Sequence, residues 1–269
     1  MDGTVGGAVL AGGRSRRMGQ DKAGIEVEGV PLLARTRSAL AAALDPGAPV
    51  VVVGSPTGPR PGPWIADRRP GLGPLAGLEA ALVWAGERGL AGVLVAGVDH
   101  PWLEPAVLRL LVDRLQDARP VAAGRAGRPV DAARQEPVAG ARPDAAVLGT
   151  AAGPLLLIGA YRVTALTVIA ALLDDGERRL QALQQHLDLD VLPPGAWRHL
   201  DPRAGTAIDV DDRSALAAAE RHLGTSGPDA TAPPDATAPP DATAHPDATA
   251  PPDATAHPDA TAHPEPPPA

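Results

Sequence analysis

The residues near the start of the chain that are best suited to chemistry lie in one loop, Gly12 to Lys22, which follows a short apolar run. Glycines let backbone N–H groups approach an anion closely, and Arg16 and Lys22 add positive charge. Lys22 is the single lysine among 24 basic residues, and a compact ammonium is not interchangeable with a guanidinium. The loop could therefore hold a nucleotide triphosphate, and the alternative is a basic surface turn. It matches neither the P-loop nor the Gly-x-Gly-x-x-Gly fingerprint.

An acidic residue, Asp99, follows a later apolar run, Val93 to Ala96, and stands two residues before Pro101. A carboxylate at the end of a buried strand can bind Mg²⁺, which prefers oxygen ligands and bridges to phosphates. The alternative is that Asp99 only caps a turn. We expect the neighbouring His100 to be a loop residue rather than a base, because phosphoryl-type transfer depends on positioning and charge neutralisation.

Three further segments are candidates for the same site. Asp67 could contact the nucleotide or lie on the surface of a loop rich in proline and glycine. The segment Gly73–Gly77 could pass close to a base or form an ordinary turn before a helix. Asp209, Asp211 and Asp212 cluster late in the chain. They could supply a second metal ligand, although a solvated acidic turn is the simpler reading of their composition.

Apolar runs and helical periodicity alternate through the first half of the chain, which is typical of a mostly parallel sheet covered by helices on both faces. In such sheets ligands lie beyond the carboxyl ends of the strands, where the loop at 12–22 and Asp99 fall. The predicted strands are 8–11, 50–53, 64–66, 93–96, 155–158, 191–192 and 207–210. The predicted helices are 31–44, 78–85, 105–115, 165–173, 179–187 and a last one capped by Ser214 that runs through His222. Residues 124–153 have no assignment.

Composition divides the chain into a body, 1–226, and a tail, 227–269, that repeats Pro-Asp-Ala-Thr-Ala with Pro or His every six residues. The tail has no Leu, Ile, Val, Met or aromatic residue that could offset the entropy cost of ordering, so we predict disorder. It contains seven acidic and no basic residues, so removing its −7 from the net charge of −8 leaves a body near −1. Bulk charge therefore predicts no nucleic-acid partner.

The chain has no cysteine, which excludes disulfide and thiol chemistry. Its start lacks the basic region of a signal peptide, and no apolar run reaches the ~18 residues that span a bilayer. These features predict a cytoplasmic protein with no membrane partner.

Three motifs in this order resemble the molybdenum cofactor guanylyltransferase family. They are Leu-Ala-Gly-Gly-x-Ser-x-Arg-Met-Gly-x-Asp-Lys at 10–22, Gly-Pro-Leu-Ala-Gly at 73–77 and Asp-x-Pro at 99–101. The first is specific to a superfamily of small nucleotidyltransferases, and the set is specific to this branch. The resemblance is strong over residues 8–103 and is visible to about residue 222, notably in Gly176–Arg179.

The resemblance implies a Rossmann-like three-layer α/β/α nucleotidyltransferase domain. It implies transfer of GMP from GTP to the molybdopterin form of molybdenum cofactor, with Mg²⁺ as cofactor and release of pyrophosphate. The implied catalytic residues are Lys22, Asp99 and Arg16, and Asp99 is the implied metal ligand, with Asp209 or Asp211 as a candidate second ligand. The implied nucleotide-binding residues are Leu10, Ala11, Gly12, Gly13, Lys22, Asp67 and Asp99. Proteins that insert or receive the molybdenum cofactor would be transient partners.

Two segments depart from the family pattern. Asp209-Val210-Asp211-Asp212-Arg213 stands where members often have Asn-Val-Asn-Thr-Pro, and Gly153-Pro154-Leu155 stands where many have Gln-Pro-Leu. Both belong to the half of the domain expected to hold the pterin. The nucleotide chemistry is therefore better supported than the acceptor, and the repeat tail has no counterpart expected from the family.

Several alternatives remain open. A sibling enzyme transfers CMP from CTP to the same cofactor, but its first motif usually has Ala-Ala-Gly where this chain has Ala11-Gly12-Gly13. Guanylyl transfer to another phosphorylated acceptor, such as phospholactate, is a second alternative. A non-catalytic GTP-binding module is a third, and the altered second half is its only support.

Overall fold

A computed structural model of the protein describes residues 3–12, 22–54, 62–117 and 142–224. All of these residues belong to the first of two units, Met1–Gly227, into which the chain divides. The predicted tail, 227–269, lies outside the described residues, so its disorder and the predicted domain boundary stay predictions. Within the described ranges, no helix is both long and apolar enough to cross a membrane.

The centre of the described structure is a seven-stranded sheet in the order β5-β4-β1-β6-β8-β7-β9. Its strands are β1 Val5–Leu10, β4 Val50–Val53, β5 Trp64–Ile65, β6 Gly92–Gly97, β7 Ala145–Thr150, β8 Gly153–Arg162 and β9 Leu189–Leu192. A separate hairpin joins β2 Glu26–Val27 to β3 Val30–Pro31. Of the seven described sheet strands, β8 alone is antiparallel to its neighbours, so the sheet is mostly parallel as predicted.

Helices cover both faces of this sheet. They are α1 Leu32–Ala43, α2 Pro74–Glu87, α3 Pro105–Gln116, α4 Leu166–Asp174, α5 Leu183–His186, α6 Pro194–Trp197 and α7 Arg213–Gly224. Helices α1 and α3 pack in one hydrophobic core, and α2 and α4 pack in a second core on the opposite face. The predicted three-layer α/β/α architecture is therefore confirmed.

The apolar strands supply both cores because successive side chains of a strand point to opposite faces of the sheet. In β1, Val9 belongs to the core beneath α1 and α3, whereas Ala8 and Leu10 belong to the core beneath α2 and α4. The same alternation separates Val52 from Val51 and Val53 in β4. A run that is apolar at every position is thus what a strand covered on both faces requires.

Most predicted elements of the first half are confirmed with small shifts in their ends. Pro31 is the N-cap of α1 rather than its first residue, and α2 begins at Pro74, four residues before the predicted periodic segment. Proline is favoured at the first helical position because it has no N–H to leave unpaired there. In α3, the predicted apolar positions are all buried: Val107, Leu108, Leu111 and Leu115.

Three predictions in the second half are wrong. Residues 179–187 do not form one helix but a 3-10 turn, Leu180–Ala182, followed by the single turn of α5, because Leu187 turns extended to enter β9. Residues 207–210 form no strand: this segment bonds to the loop after β6 instead, through the Val210 N–H and the Asp99 carbonyl at 2.8 Å.

The third correction concerns the cap of α7. The Ala215 N–H donates to Asp212 Oδ1 at 2.8 Å, so Asp212 caps this helix and Ser214 lies inside its first turn. A carboxylate at this position satisfies an unpaired backbone donor and opposes the positive end of the helix dipole. In addition, β7 lies in the stretch for which the sequence indicated no element.

Candidate functional site

The carboxyl ends of β1, β4, β5 and β6 lie at one edge of the sheet because these four strands are parallel. Ala11 and Gly12 follow β1, Gly54 follows β4, Asp67 comes two residues after β5, and Asp99 comes two residues after β6. The structure therefore brings the described parts of the predicted nucleotide site to a single edge. This edge, defined by those loops, is called the carboxyl edge below.

The loop after β1 is tied to both neighbouring strands before it leaves the sheet. The Ala11 N–H donates to the Val53 carbonyl at 2.9 Å, and the Val98 N–H donates to the Leu10 carbonyl at 3.1 Å. Leu10 and Ala11 are buried, whereas Gly12 is exposed. Gly12 is thus the first exposed residue after β1.

Gly54 makes this arrangement of the β1 loop possible. Its φ is +122°, and a Cβ built at this position would lie 2.7 Å from Gly12 N and 2.9 Å from Gly12 Cα. Any other residue would force the β1 loop away from β4, because backbone atoms cannot yield as a flexible side chain can. Sequence reasoning missed Gly54, although a glycine directly after a buried valine run is the signal that could have found it.

Three predicted residues fall outside this description in whole or in part. Gly13 and Arg16 lie outside the described residues, and Lys22 begins a described 3-10 turn, Lys22–Gly24, in which its side chain is not described. The predicted roles of all three stay predictions. The 3-10 turn is held to the domain through Ala23 and Ile25, which are buried in the core beneath α1 and α3.

Asp67 is half-buried and its side chain is oriented by the backbone that follows. Oδ1 of Asp67 accepts the Arg69 N–H at 3.0 Å, closing a short turn. Burial raises the pKa of Asp67; the hydrogen bond from Arg69 opposes that rise and the nearby Glu79 carboxylate adds to it. The hydrogen bond at Oδ1 therefore holds the carboxylate in one orientation.

Asp99 has a carboxylate oxygen that makes no hydrogen bond to any residue that the structure describes. This atom, Oδ1, is buried, and His100 Nε2 lies 3.8 Å from it. An unpaired buried carboxylate oxygen costs free energy unless an ion or water satisfies it. Asp99 therefore fits a role as a ligand of a hard cation such as Mg²⁺.

His100 and the segment 208–210 make hydrogen bonds that hold the loop containing Asp99. His100 is buried, and its Nδ1 lies 3.2 Å from the Ile208 carbonyl oxygen. Together with the bond from Val210 to the Asp99 carbonyl, this contact brings the predicted acidic segment to the carboxyl edge. Asp209 and Asp211 are exposed there, whereas Asp212 is committed to capping α7.

The described residues form no cluster of three acidic or histidine side chains with metal-binding geometry. A magnesium ion at Asp99 would therefore take most of its ligands from water and phosphate oxygens, which is the usual arrangement for this ion.

The segment Gly73–Gly77 forms the start of α2 at the same edge. Gly73 is the N-cap with a φ of +83°, and a Cβ built there would lie 3.5 Å from the Arg178 carbonyl oxygen. Gly77 is buried against Leu10. The segment is thus the start of a helix whose glycines lie close to β1 and to the loop 176–179, and its predicted approach to a base stays a prediction. The first turn of α2 directs its backbone N–H groups towards this edge.

The loop 176–179 is internally tied by Glu177. This carboxylate accepts the backbone N–H groups of Arg178 and Arg179 at 2.8 and 2.9 Å and pairs with the Arg179 guanidinium at 2.9 Å. Those contacts, the guanidinium first, lower the pKa of Glu177 to about 2. The loop therefore keeps its shape against Gly73 by its own hydrogen bonds.

The segment that departs from the family pattern at 153–155 also reaches the carboxyl edge. Because β8 is antiparallel, its start pairs with the end of β7 at Thr150 and Gly153, while Ile158 pairs with Ala96 near the end of β6. Gly153-Pro154-Leu155 and the segment 209–211 thus lie at the edge that contains Asp99. The two departures expected in the acceptor half thus share one edge with Gly12, Asp67 and Asp99, which are predicted to bind the nucleotide.

A charged network around Arg69 was not anticipated from the sequence. The Arg69 guanidinium pairs with Glu79 in α2 and with Asp174 at the end of α4. Glu79 is 5% exposed, and an acidic residue within the apolar period of α2 is the signal that could have revealed it. A buried carboxylate requires a partner, and here the guanidinium of Arg69 supplies it.

Comparison with known proteins places this arrangement in a family. The MobA-like NTP transferase domain matches residues 7–190 of the chain. A molybdenum cofactor guanylyltransferase of Rhodobacter capsulatus is 38% identical over 133 residues, which cover 46% of this chain and 64% of that relative. One of Xanthomonas euvesicatoria is 45% identical over 107 residues, which cover 39% of this chain and 52% of that relative. The chain thus spans between half and two thirds of the length of these curated relatives.

Solved structures share the fold. Molybdopterin-guanine dinucleotide biosynthesis protein A from Archaeoglobus fulgidus superposes with a TM-score of 0.59 at 22% identity, covering 82% of this chain and 99% of that one. A nucleotidyl transferase from Methanothermobacter superposes with a TM-score of 0.51 at 16% identity, covering 82% of this chain and 99% of that one. With a family match over residues 7–190 and the described parts of the predicted motifs at one edge of the predicted fold, the chain belongs to the MobA-like NTP transferase domain family.

Proposed function

We propose that this chain is a nucleotidyltransferase that moves GMP from GTP to the molybdopterin form of molybdenum cofactor and releases pyrophosphate. The observation that supports this most is the convergence of Gly12, Asp67 and Asp99 at one edge of the sheet. The relatives at 38% and 45% identity are molybdenum cofactor guanylyltransferases, which favours this reaction within the family.

In the proposed reaction the terminal phosphate of the pterin cofactor attacks the α-phosphorus of GTP, and the bond to pyrophosphate breaks. The backbone of Leu10, Ala11 and Gly12 contacts the nucleotide, with Gly13 extending the same loop. Lys22 and Arg16 neutralise the phosphates, and Asp67 accepts a hydrogen bond from the nucleoside. Mg²⁺ bound at Asp99 would add further charge neutralisation, with Asp209 or Asp211 as the candidate second ligand.

The acceptor is proposed to lie against the half of the carboxyl edge formed by Gly153-Pro154-Leu155 and 209–211. This region adjoins Asp99 through the Val210 hydrogen bond, so an acceptor phosphate there would be near the nucleotide. Proteins that insert or receive the molybdenum cofactor are proposed as transient partners of the same edge.

The test is calorimetric titration of GTP, and separately of CTP, into the protein with Mg²⁺. We expect selective binding of GTP, and binding about tenfold weaker for Lys22→Ala because a charge-assisted contact to phosphate is lost. Arg88→Ala is the control: this arginine lies over the Trp84 ring at the opposite end of α2, 4.9 Å from the ring centroid. It removes one positive charge away from the site.

Preference for CTP would point to the cytidylyl sibling, and binding of neither nucleotide would contradict a nucleotidyltransferase role. Adding the molybdopterin acceptor to the GTP complex should then release pyrophosphate. GTP binding without release would favour another phosphorylated acceptor, such as phospholactate, if that compound restores release. Without release from any acceptor, the chain would be a GTP-binding module.

A further inference from the structure

Arg69 joins three elements at the carboxyl edge. Its Nε and Nη2 contact the two carboxylate oxygens of Glu79, each at 3.1 Å, and its Nη1 lies 2.7 Å from Asp174 Oδ1. The residue itself stands in the loop after β5, Glu79 is in the second turn of α2, and Asp174 ends α4. The Arg69 guanidinium therefore links the Asp67 loop to both α2 and α4.

The contact with Glu79 is the more buried of the two, although the contact with Asp174 is the shorter. The Glu79 side chain is 7% exposed, and a carboxylate charge buried to that extent costs free energy unless a cationic partner neutralises it. Two parallel hydrogen bonds from a planar guanidinium also define its orientation. Asp174, by contrast, has a side chain that is 66% exposed, and solvent screens a pair of that kind.

The backbone N–H of Arg69 contacts a residue that its side chain does not contact. Its N–H donates to Asp67 Oδ1 at 3.0 Å, which selects the orientation of that carboxylate. The donor N–H and the paired guanidinium belong to one residue, so the pair with Glu79 restricts the positions that the N–H can take. A substitution of Glu79 would thus alter the orientation of the Asp67 carboxylate through Arg69, without direct contact between Glu79 and Asp67.

We propose that Arg69 is a positioning residue for nucleotide binding: its pair with Glu79 holds the Asp67 loop so that the Asp67 carboxylate faces the nucleotide. This inference rests on the proposed function, in which Asp67 contacts the nucleoside. Lysine cannot replace Arg69, because an ammonium offers a single point charge where Glu79 receives two parallel bonds.

The test measures the dissociation constant for GTP with Mg²⁺, and the steady-state constants with acceptor, for Arg69→Lys and Glu79→Gln. We expect each variant to bind GTP about tenfold more weakly, as the loss of one oriented hydrogen bond to a charged group predicts. The KM for GTP should rise with kcat nearly unchanged at saturation, because Asp67 lies outside the reacting bond. Asp174→Asn should have a smaller effect because its pair with Arg69 is exposed.

Arg114→Lys is the matched control. Arg114 also makes a two-bonded pair, with Asp190 in β9 at 2.7 and 3.0 Å, and its side chain is 30% exposed, as is that of Arg69. This pair is remote from the carboxyl edge, since the next residues of α3 contact the chain before β1 through Gln116 and Gly3. The variant should lose comparable stability and bind GTP normally. Equal weakening in Arg114→Lys and Arg69→Lys would overturn the positioning role.

A double-mutant cycle separates positioning from general loosening. If Arg69 acts through Asp67, Arg69→Lys should change the GTP dissociation constant less than about twofold in a protein that already has Asp67→Ala. A full tenfold effect in that background would overturn the inference. If Arg69→Lys fails to fold, Glu79→Gln supports the same cycle, because glutamine keeps the shape of the side chain.

Failure of this inference is distinguishable from failure of the proposed function. Wild-type protein that binds no GTP would contradict the proposed function and with it this inference. Wild-type protein that binds GTP, with Arg69→Lys and Glu79→Gln binding equally well, would overturn the inference alone.

Discussion

Gly54 stands where two loops of the carboxyl edge come closest. Its φ of +122° is a conformation that other residues rarely adopt, and a Cβ there would meet the backbone of Gly12 at 2.7 Å. We expect Gly54→Ala to lower the free energy of unfolding by about 2 kcal/mol or more. It should also weaken GTP binding, because the β1 loop must move. Denaturant unfolding and calorimetry of the same preparation measure both effects.

Gly47 provides a matched comparison, since its φ is +84° but no atom lies within 4 Å of a Cβ built there. Gly47→Ala should cost about 1 kcal/mol from the backbone conformation alone and leave GTP affinity intact. If the two variants bind GTP equally, the close approach of Gly54 to Gly12 does not shape the nucleotide loop.

At the scale of one element, β8 shows how an irregular strand satisfies its backbone. Between the pairs Val147–Gly159 and Leu148–Leu155 the register shifts, so three residues of β8, 156–158, have no partner on β7. The Tyr161 hydroxyl donates to the Leu156 carbonyl at 2.6 Å inside the core. Burial also raises the pKa of Tyr161, so it stays a neutral donor.

Tyr161→Phe should therefore lower the free energy of unfolding by about 1–3 kcal/mol, because the buried Leu156 carbonyl would lose its donor. Thr36→Val is the control in denaturant unfolding. The Thr36 hydroxyl is buried and donates to the Leu32 carbonyl at 3.0 Å, but that carbonyl also accepts a bond within α1. Equal and small losses in both variants would mean that Leu156 has another donor.

At the scale of the whole molecule, the two halves of the domain meet through the antiparallel pairing of β6 with β8. This pairing places the start of β8 beside the end of β6, so the departures at 153–155 and 209–211 adjoin the Asp99 loop. Both halves of the domain thus contribute to the carboxyl edge. The proposed acceptor region is continuous with Gly12, Asp67 and Asp99, the residues proposed to bind the nucleotide.

Deletion of residues 227–269 tests the predicted division of the chain. The deleted segment contains seven acidic residues and none of the large apolar side chains that build a core. We expect the shortened protein to keep its melting temperature and its kcat/KM for GTP within about twofold. A full-length variant with the order of the repeat shuffled is the control for charge and length. A large loss of turnover in the deletion alone would contradict the prediction.

Local patterns in the sequence determined the elements of the first half. The apolar runs of β1, β4 and β6 and the helices that start near Pro31 and Pro105 appear as expected, because backbone preference and periodicity act over a few residues. The order of the motifs also indicated the family, and the predicted strands located Gly12, Asp67 and Asp99 near strand ends.

The tertiary structure alone decided which distant residues meet. The bond from Val210 to Asp99 joins positions more than one hundred residues apart and makes 207–210 a support for a loop rather than the predicted strand. The direction of β8 and the pairing of Arg69 with Glu79 and Asp174 are of the same kind. No local pattern encodes such contacts, because strand register and ion pairing are set by the packing of both helical layers on the sheet.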